Sequence, residues 1–412
     1  MKTLIINGSP RKNGDTVTLI NEMTKYLEGD IKVVNTYYDN INPCTDCRAC
    51  WHSGKCIIND EMQEIYKLVN EVDNVIIASP LYMSELTGPL LSFYSRFQYF
   101  YVLKFIRKAT NFKLKRKNGV LIITGGGDGG PNPAVTTANI MFKQLNTKLL
   151  GSVFSLNTDK IPAEKDTDAL NKARQLAIQL NTLNYLKENE TENLNIINFM
   201  ESYPVNYIDK VGRSVVVKGI SDRNWVYISS KEEKELEEVR RNLSGSDKCF
   251  AIIEDWMIPI LTKDSKIRWK LTTMRLVLNN NIPLSEASCE ISKLTVEDSK
   301  SIFENSDYKE YVSVEYINER IENGLSCCIR LGDRLIAWGI TQDDGAIGFL
   351  HVLPEYRGHG YSKVIMTDLI NKVRNIGKIP FVHIEKENTK SMNLALGLGF
   401  ERDRNVSWLE IY

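Results

Sequence analysis

Short apolar runs alternate with amphipathic stretches through the first 186 residues, and this rhythm constrains the fold more than any other feature. The runs are Thr3–Asn7, Lys32–Tyr38, Asn74–Ser79, Gly119–Thr124 and Leu149–Leu156. Between them apolar positions recur at helical spacing, over Thr16–Leu27, Asp60–Val72, Leu90–Leu103 and Ala134–Leu145, with a last stretch over Asp166–Leu186. Repeated strand–helix–strand units predict an α/β fold, a doubly wound parallel five-stranded sheet with helices on both faces. Ligands of such sheets sit beyond the carboxyl ends of the strands.

A chain of 412 residues exceeds one ordinary core. The polar segment 187–194 suits a linker or a solvated helix end, so the first domain is expected to span 1–186. The remainder reads as mixed α+β in two parts, 195–287 and 288–412. A formal net charge of zero gives no general attraction to nucleic acid. No apolar stretch approaches the ~20 residues that span a bilayer. The start, Met1-Lys2-Thr3-Leu4-Ile5-Ile6-Asn7, lacks the pattern of a signal peptide, so a cytoplasmic address is expected. In that compartment the eight cysteines are expected as thiols or metal ligands.

Two strand-to-helix turns stand out. The first runs Gly8-Ser9-Pro10-Arg11-Lys12-Asn13-Gly14-Asp15-Thr16. Such a turn aims free N–H groups and the positive end of a helix at one spot. Ser9, Arg11, Asn13 and Thr16 add hydroxyl, guanidinium and amide donors, a set that suits a terminal phosphate monoester. The turn matches neither the dinucleotide fingerprint nor the nucleoside-triphosphate loop. Two more loops leave the same sheet edge: Pro80, Leu81, Tyr82, Met83 and Ser84 after the third strand, and Thr124, Gly125, Gly126 and Gly127 after the fourth. An aromatic and bare backbone suit a flat heterocycle.

The stretches NGSPRKNGDT, NVIIASPLYMSELTGPL and VLIITGGGDGG resemble those of the NAD(P)H-dependent FMN reductases of the flavodoxin-like superfamily. The resemblance implies that Ser9, Arg11, Asn13 and Thr16 hold the FMN phosphate, and that Pro80–Ser84 and Thr124–Gly127 flank its ring. It also implies NAD(P)H as reductant and a homodimer. Asp15 stands where relatives usually carry Asn. A carboxylate is unfavourable beside a phosphate, so Asp15 is left out of the contact set.

Cys44, Cys47, Cys50 and Cys56 place four soft ligands within one loop. Thiolates so spaced can wrap a 4Fe-4S cluster; zinc or a loop of reduced thiols are the alternatives. The pattern resembles the iron–sulfur flavoproteins of the same superfamily, which pass electrons between cluster and FMN. The basic run from Lys104 to Lys117 reads as a solvated surface or as a dock for NADPH phosphate or an acidic electron partner.

The second turn is Arg357-Gly358-His359-Gly360-Tyr361-Ser362, between an apolar run and the amphipathic Ser362–Val373. With ENTKSMNLALGLGF downstream it resembles the R-x-x-G-x-G/A signature of GNAT acyltransferases. LIAWGITQDDGAIGFLHVLPEYRGHGYS and PFVHIEKEN are closest to the carboxyl-terminal half of glycine N-acyltransferase-like proteins. The resemblance implies that Arg357, Gly358, His359, Gly360, Tyr361 and Ser362 grip the pyrophosphate of acetyl-CoA or another acyl-CoA. Leu350 and Val352 would offer backbone to the pantetheine of that cosubstrate, from a strand that splays away from its neighbour. By the same resemblance residues 195–287 are a degraded GNAT-like lobe and 288–412 the acyl-CoA-binding domain. The family's tyrosine acid falls at Ala395 and its proposed glutamate base at Ala346. His351 and Asp344 are the catalytic replacements expected here, with Asp343 beside them. Asn388 either reaches the cofactor or caps its helix. The functional expectation is an FMN-dependent NAD(P)H oxidoreductase fused to an acyl-CoA N-acyltransferase, acting on small molecules. The alternative is an electron carrier or redox sensor whose GNAT region only binds acyl-CoA.

Overall fold

The computed structural model describes residues 1–279, 282 and 290–412. The chain forms two compact units, Met1–Tyr185 and Leu186–Tyr412. The first contains β1 (Lys2–Asn7), β2 (Asp30–Asn35), β3 (Asn74–Pro80), β4 (Lys117–Gly125) and β5 (Thr147–Leu156). All pair in parallel, in the order β2-β1-β3-β4-β5. This is the flavodoxin-like order, whose strand direction of travel reverses between β1 and β3 and opens a crevice there. Both faces of the sheet are covered, which is why its strands read as unbroken apolar runs. Leu4, Ile6, Val75, Ile77, Leu121 and Ile123 pack on one side. Ile5, Ile76, Ala78, Val120, Ile122 and Val153 pack on the other.

The helix expected over Leu90–Leu103 is broken into Gly88–Ser95, Gln98–Tyr101 and a wide turn over Val102–Ile106. The break falls at Arg96, whose fully buried guanidinium is committed to Asp60 at 2.5 Å. Phe93, Phe97 and Phe100 fill the space on the other side of the break.

The second unit holds β6 (Val205–Val211), β7 (Ser214–Ile220), β8 (Asn224–Ser229), β9 (Cys249–Ile253) and β10 (Ile267–Val277). It continues with β11 (Ser326–Leu331), β12 (Arg334–Thr341), β13 (Ile347–Val352), β14 (Phe381–Ile384) and β15 (Glu401–Ile411). All ten form one sheet, β11-β12-β13-β14-β10-β15-β9-β8-β7-β6. Each half repeats one plan. Three antiparallel strands (β6–β8, β11–β13) lead through a helix to a strand parallel to the third. The last strands are exchanged: β10 pairs with β14, β15 pairs with β9, and the two pair with each other along most of their length. The two expected lobes therefore share a continuous sheet. The boundary expected at 287 lies outside the described residues.

Segment 187–194 is not a free linker. Arg275, buried within the sheet, donates to the carbonyls of Thr191 and Glu192 at 2.9 and 3.2 Å, and Lys231 pairs with the Glu192 carboxylate at 2.7 Å. Among the described residues no helix is long and apolar enough to cross a membrane.

Candidate functional site

In the first unit β1 ends against β3. Gly8 N–H donates to Ala78 O at 2.7 Å, and Thr87 Oγ1 donates to Gly8 O at 2.8 Å. A Cβ on Gly8 would lie 3.0 Å from Thr87 Oγ1 and Leu90, so any larger residue would push these side chains aside. Local bonds then shape the turn: Ser9 N–H donates to Asn7 Oδ1 and Arg11 N–H to Ser9 Oγ, at 3.0 and 3.2 Å. The helix Asp15–Thr24 begins after Gly14 with no side-chain cap, leaving its first N–H groups directed into the turn. Asp15 Oδ1 accepts from Ala163 N–H at 2.9 Å, which spends its carboxylate on the fold. Arg11 and Asn13 are exposed beside the turn.

The other two loops meet this one. Thr16 Oγ1 and Thr124 Oγ1 share a buried hydrogen bond of 2.7 Å, and Leu81 N–H donates to Thr124 O at 2.8 Å. Tyr82 and Glu85 exchange both backbone hydrogen bonds, at 2.9 and 3.0 Å, around Met83 and Ser84. Those two hold φ of 53° and 64°, left-handed values that cost a non-glycine residue of order 1 kcal/mol. The strain sets Tyr82 half exposed (47%) and Met83 fully so (99%) at the mouth of the crevice. Ser84 Oγ donates to Gly129 O, pinning this tip to the glycine-rich loop. Nothing lies within 4 Å of a Cβ placed on Gly127, so bare backbone faces open space.

The sequence reading missed Tyr37, just past β2. Its hydroxyl is near Tyr82 and Thr87, and burial together with Tyr82 pushes its pKa up. Position alone carried the signal: an aromatic pair, Tyr37-Tyr38, at the carboxyl edge of a parallel strand.

The four expected metal ligands share a loop but do not converge. Among the described residues no three His, Cys, Asp or Glu side chains are grouped to hold a metal ion. Cys44 and Cys47 are exposed, and Cys50 and Cys56 are half-buried. Left-handed φ at Asp46 (49°) and Arg48 (57°) turns the backbone between them. Arg96 anchors the loop at both ends, donating to Asn42 O at 2.8 Å and Cys56 Sγ at 3.4 Å. Burial raises the Cys50 pKa, and Cys56, Cys44 and Cys47 each push the same way, so all three act electrostatically on Cys50.

In the second unit β13 and β14 pair at one position only, Ile347 with Val382. Beyond it they part, and Phe349 at φ 49° kinks β13 within the opening. The cradle follows. Gly358 and Gly360 hold φ of 87° and 80°, and a Cβ on either would meet nothing within 4 Å. The helix Tyr361–Asn375 starts at Gly360 without a side-chain cap. Arg357 folds back, its Nε donating to Val352 O at 3.1 Å. His359 lies against the Tyr361 ring, with centroids 5.9 Å apart.

A cavity of about 240 Å³ opens where β13 and β14 part, with Leu350, His351 and Asn388 on its wall. His351 stacks on Trp338 at 4.7 Å, and its Nε2 is buried with no hydrogen-bond partner. Burial, then the nearby Arg357, lowers its pKa, which favours the neutral ring. Asn388 caps its own helix, its Oδ1 accepting from Ser391 N–H at 3.1 Å. Val352, expected at the cosubstrate, is absent from the wall, and Arg357 takes its carbonyl.

Asp344 is corrected more sharply. It is buried off the cavity, accepting from Asn195 Nδ2 at 2.6 Å and Ala346 N–H at 3.0 Å, and so acts as the clasp of the β12–β13 turn. Its neighbour Asp343 faces the cavity instead, accepting from Ser221 Oγ at 2.6 Å and Tyr316 OH at 3.2 Å. Burial and the adjacent Asp344 raise its pKa. The sequence reading also missed His383 on β14. This ring lines the cavity but is held on both sides, by Asn195 at Nε2 (2.8 Å) and Thr273 at Nδ1 (3.3 Å).

Residues 1–160 match the family of NADPH-dependent FMN reductases, and residues 327–409 match the FR47-like proteins. An iron–sulfur flavoprotein of Archaeoglobus fulgidus is 32% identical over 183 residues, 44% of this chain and 79% of the relative. The chain belongs to the iron–sulfur flavoprotein family. An iron–sulfur flavoprotein of Methanosarcina thermophila is 31% identical over 133 residues, 32% of this chain and 66% of that relative. The remaining half of this family member carries the GNAT-like region. A GNAT-family acetyltransferase structure from Novosphingobium aromaticivorans covers 45% of the chain and 82% of its own length, at 15% identity and a TM-score of 0.34. At that score the fold assignment stands on strand order and on the family matches.

Proposed function

We propose that this chain is an FMN-dependent NAD(P)H oxidoreductase joined to an acyl-CoA N-acyltransferase. One observation carries the reading. Each unit's sheet runs into a glycine turn whose helix begins without a side-chain cap, at Gly14 and at Gly360. Uncapped helix starts are anion sites, and both FMN and coenzyme A present phosphate.

In the first unit the donors of Ser9, Asn13 and the Asp15–Thr24 helix start suit a phosphate, and Arg11 adds charge. The Thr16–Thr124 bond keeps the three loops in register. Tyr82 and Tyr37 supply aromatic surface, and the open backbone at Gly127 leaves room for a ring. FMN, when bound, supplies the hydride and electron chemistry. The four thiols are of the chemical type that an iron–sulfur cluster takes, and the similarity to iron–sulfur flavoproteins supports one, but their present placement does not form its ligand set. NAD(P)H as donor and a homodimer belong to the same proposal.

In the second unit the parted strands admit the thioester between them. Neutral His351, with Nε2 free, is set to take the proton from an amine as its nitrogen bonds to the acyl carbon. The carbon–sulfur bond breaks, and the proton ends on the departing CoA thiolate. Ala395 and Ala346 are fully buried and leave no other acid or base at those places.

The test uses the full chain purified without oxygen. The reading requires one FMN per chain, NADPH oxidation with an added electron acceptor, and CoA release from acetyl-CoA with an amine. Flavin-dependent turnover together with tight CoA binding but no release by any amine would replace the second activity with the sensor reading.

A further inference from the structure

The cavity of the second unit extends well past the donor strands. Its far wall is aromatic: Trp225 on β8, Trp269 on β10, Tyr311, and Trp408 on β15. Phe349 and Trp338 close the side nearer the cradle. Two of the indoles have their N–H groups tied away from the space, Trp225 to Asp222 Oδ1 at 2.8 Å and Trp269 to Glu410 Oε2 at 2.6 Å. Trp269 and Tyr311 lie with ring centroids 5.5 Å apart. A cavity of roughly 150 Å³ already accepts benzene, so about 240 Å³ holds a ring with an arm.

Its charge is lopsided. Asp222, Asp307, Asp343 and Glu385 border it against one guanidinium, Arg223. Arg223 is already engaged, with Glu410 at 3.3 Å, with Asp222 at 3.8 Å and with the Trp269 ring at 5.3 Å. Asp307, Asp343 and Glu385 are left without a cationic partner among the described residues that line the cavity. Asp343 has hydroxyl partners in Ser221 and Tyr316, and it stands on the turn that enters β13. Aromatic walls with acidic groups between them attract a cation that carries a ring. An acyl chain would gain from the rings but not from the carboxylates.

We infer that the acyl acceptor is a primary amine on an aromatic skeleton, its ring among Trp225, Trp269, Tyr311 and Trp408 and its nitrogen directed toward His351, with the bordering carboxylates drawing the cation into the cavity. The inference rests on the transferase reading. The ammonium gives up one proton to solvent on arrival, and the free amine attacks the thioester carbon. The carbon–sulfur bond breaks, and the second nitrogen proton passes by way of His351 to the CoA thiolate, yielding an arylalkyl amide and CoA.

The test compares 2-phenylethylamine, hexylamine and glycine as acceptors for acetyl-CoA with the full chain, and measures amine binding alone by calorimetry. The expected result is a kcat/KM for 2-phenylethylamine at least thirtyfold above hexylamine. Tyr311→Ala should cut that preference about tenfold, and Tyr311→Phe should restore it. Equal or better use of hexylamine or glycine overturns the inference and leaves the transferase standing. Saturable binding of 2-phenylethylamine without CoA release by any amine overturns the transferase reading and the acceptor assignment with it. Neither binding nor turnover overturns both. Faster reaction of benzoyl-CoA with glycine than of acetyl-CoA with 2-phenylethylamine puts the ring on the donor, and the inference fails.

Discussion

Gly360→Ala isolates the anion cradle from its cost to the fold. Gly360 holds φ of 80°, and a Cβ there meets nothing within 4 Å. The substitution therefore adds no internal clash, only the left-handed penalty of roughly 1–2 kcal/mol for an L side chain. Gly332, in the turn between β11 and β12, gives a matched control: φ of 59° and an equally open Cβ position. Both variants should lose about the same stability in urea denaturation. Only Gly360→Ala puts a methyl where the phosphate must touch backbone, so its CoA affinity should fall at least tenfold, about 1.4 kcal/mol of binding free energy, while that of Gly332→Ala should not. Calorimetric titration with CoA reads this directly. Equal CoA affinity in the two variants would refute the assignment of this turn to phosphate.

Three further outcomes follow from the same geometry. Ser9→Ala removes both a phosphate donor and the acceptor for Arg11 N–H, and should weaken FMN binding about tenfold by flavin fluorescence, with CoA affinity unchanged. Arg96→Leu leaves Asp60 buried without its cation, and should cost roughly 3–5 kcal/mol in chemical denaturation; adding Asp60→Leu should recover part of it. His383 is held well below its ordinary pKa, chiefly by burial and then by Arg275. The unfolded chain then binds the extra proton first, so stability falls as pH drops below about 6.5. The wild-type-minus-His383→Gln stability difference should therefore shrink between pH 7.5 and 5.5, and a growing difference would contradict it. Taking the difference cancels the opposite trend from Asp343, whose raised pKa favours the fold at lower pH.

Legibility in the sequence followed the range of the physics. The parallel sheet was plain because a strand buried on both faces is largely apolar, as Val75–Ala78 is within β3. Both glycine turns were plain because left-handed or crowded backbone at Gly8, Gly358 and Gly360 excludes most side chains. The exchange of β10 and β15 was hidden, since each strand's pattern fits either neighbour and only the assembled sheet decides. β6 went unread because it is an edge strand with an exposed, polar pattern, β14 because it has only four residues, and β15 because charged and polar residues interrupt its apolar run. Asp343 and Asp344 are adjacent carboxylates with identical chemistry in the sequence. The turn's own hydrogen bonds choose which one is spent on the fold. Cysteine spacing indicated a shared loop, but where the thiols point depends on the backbone between them, which turns at Asp46 and Arg48.

Native mass spectrometry of the full chain, incubated with FMN and CoA together, addresses both cradles in one measurement. The account predicts one FMN and one CoA per chain, each retained when the other is omitted. A chain that never carries one of the two would contradict it.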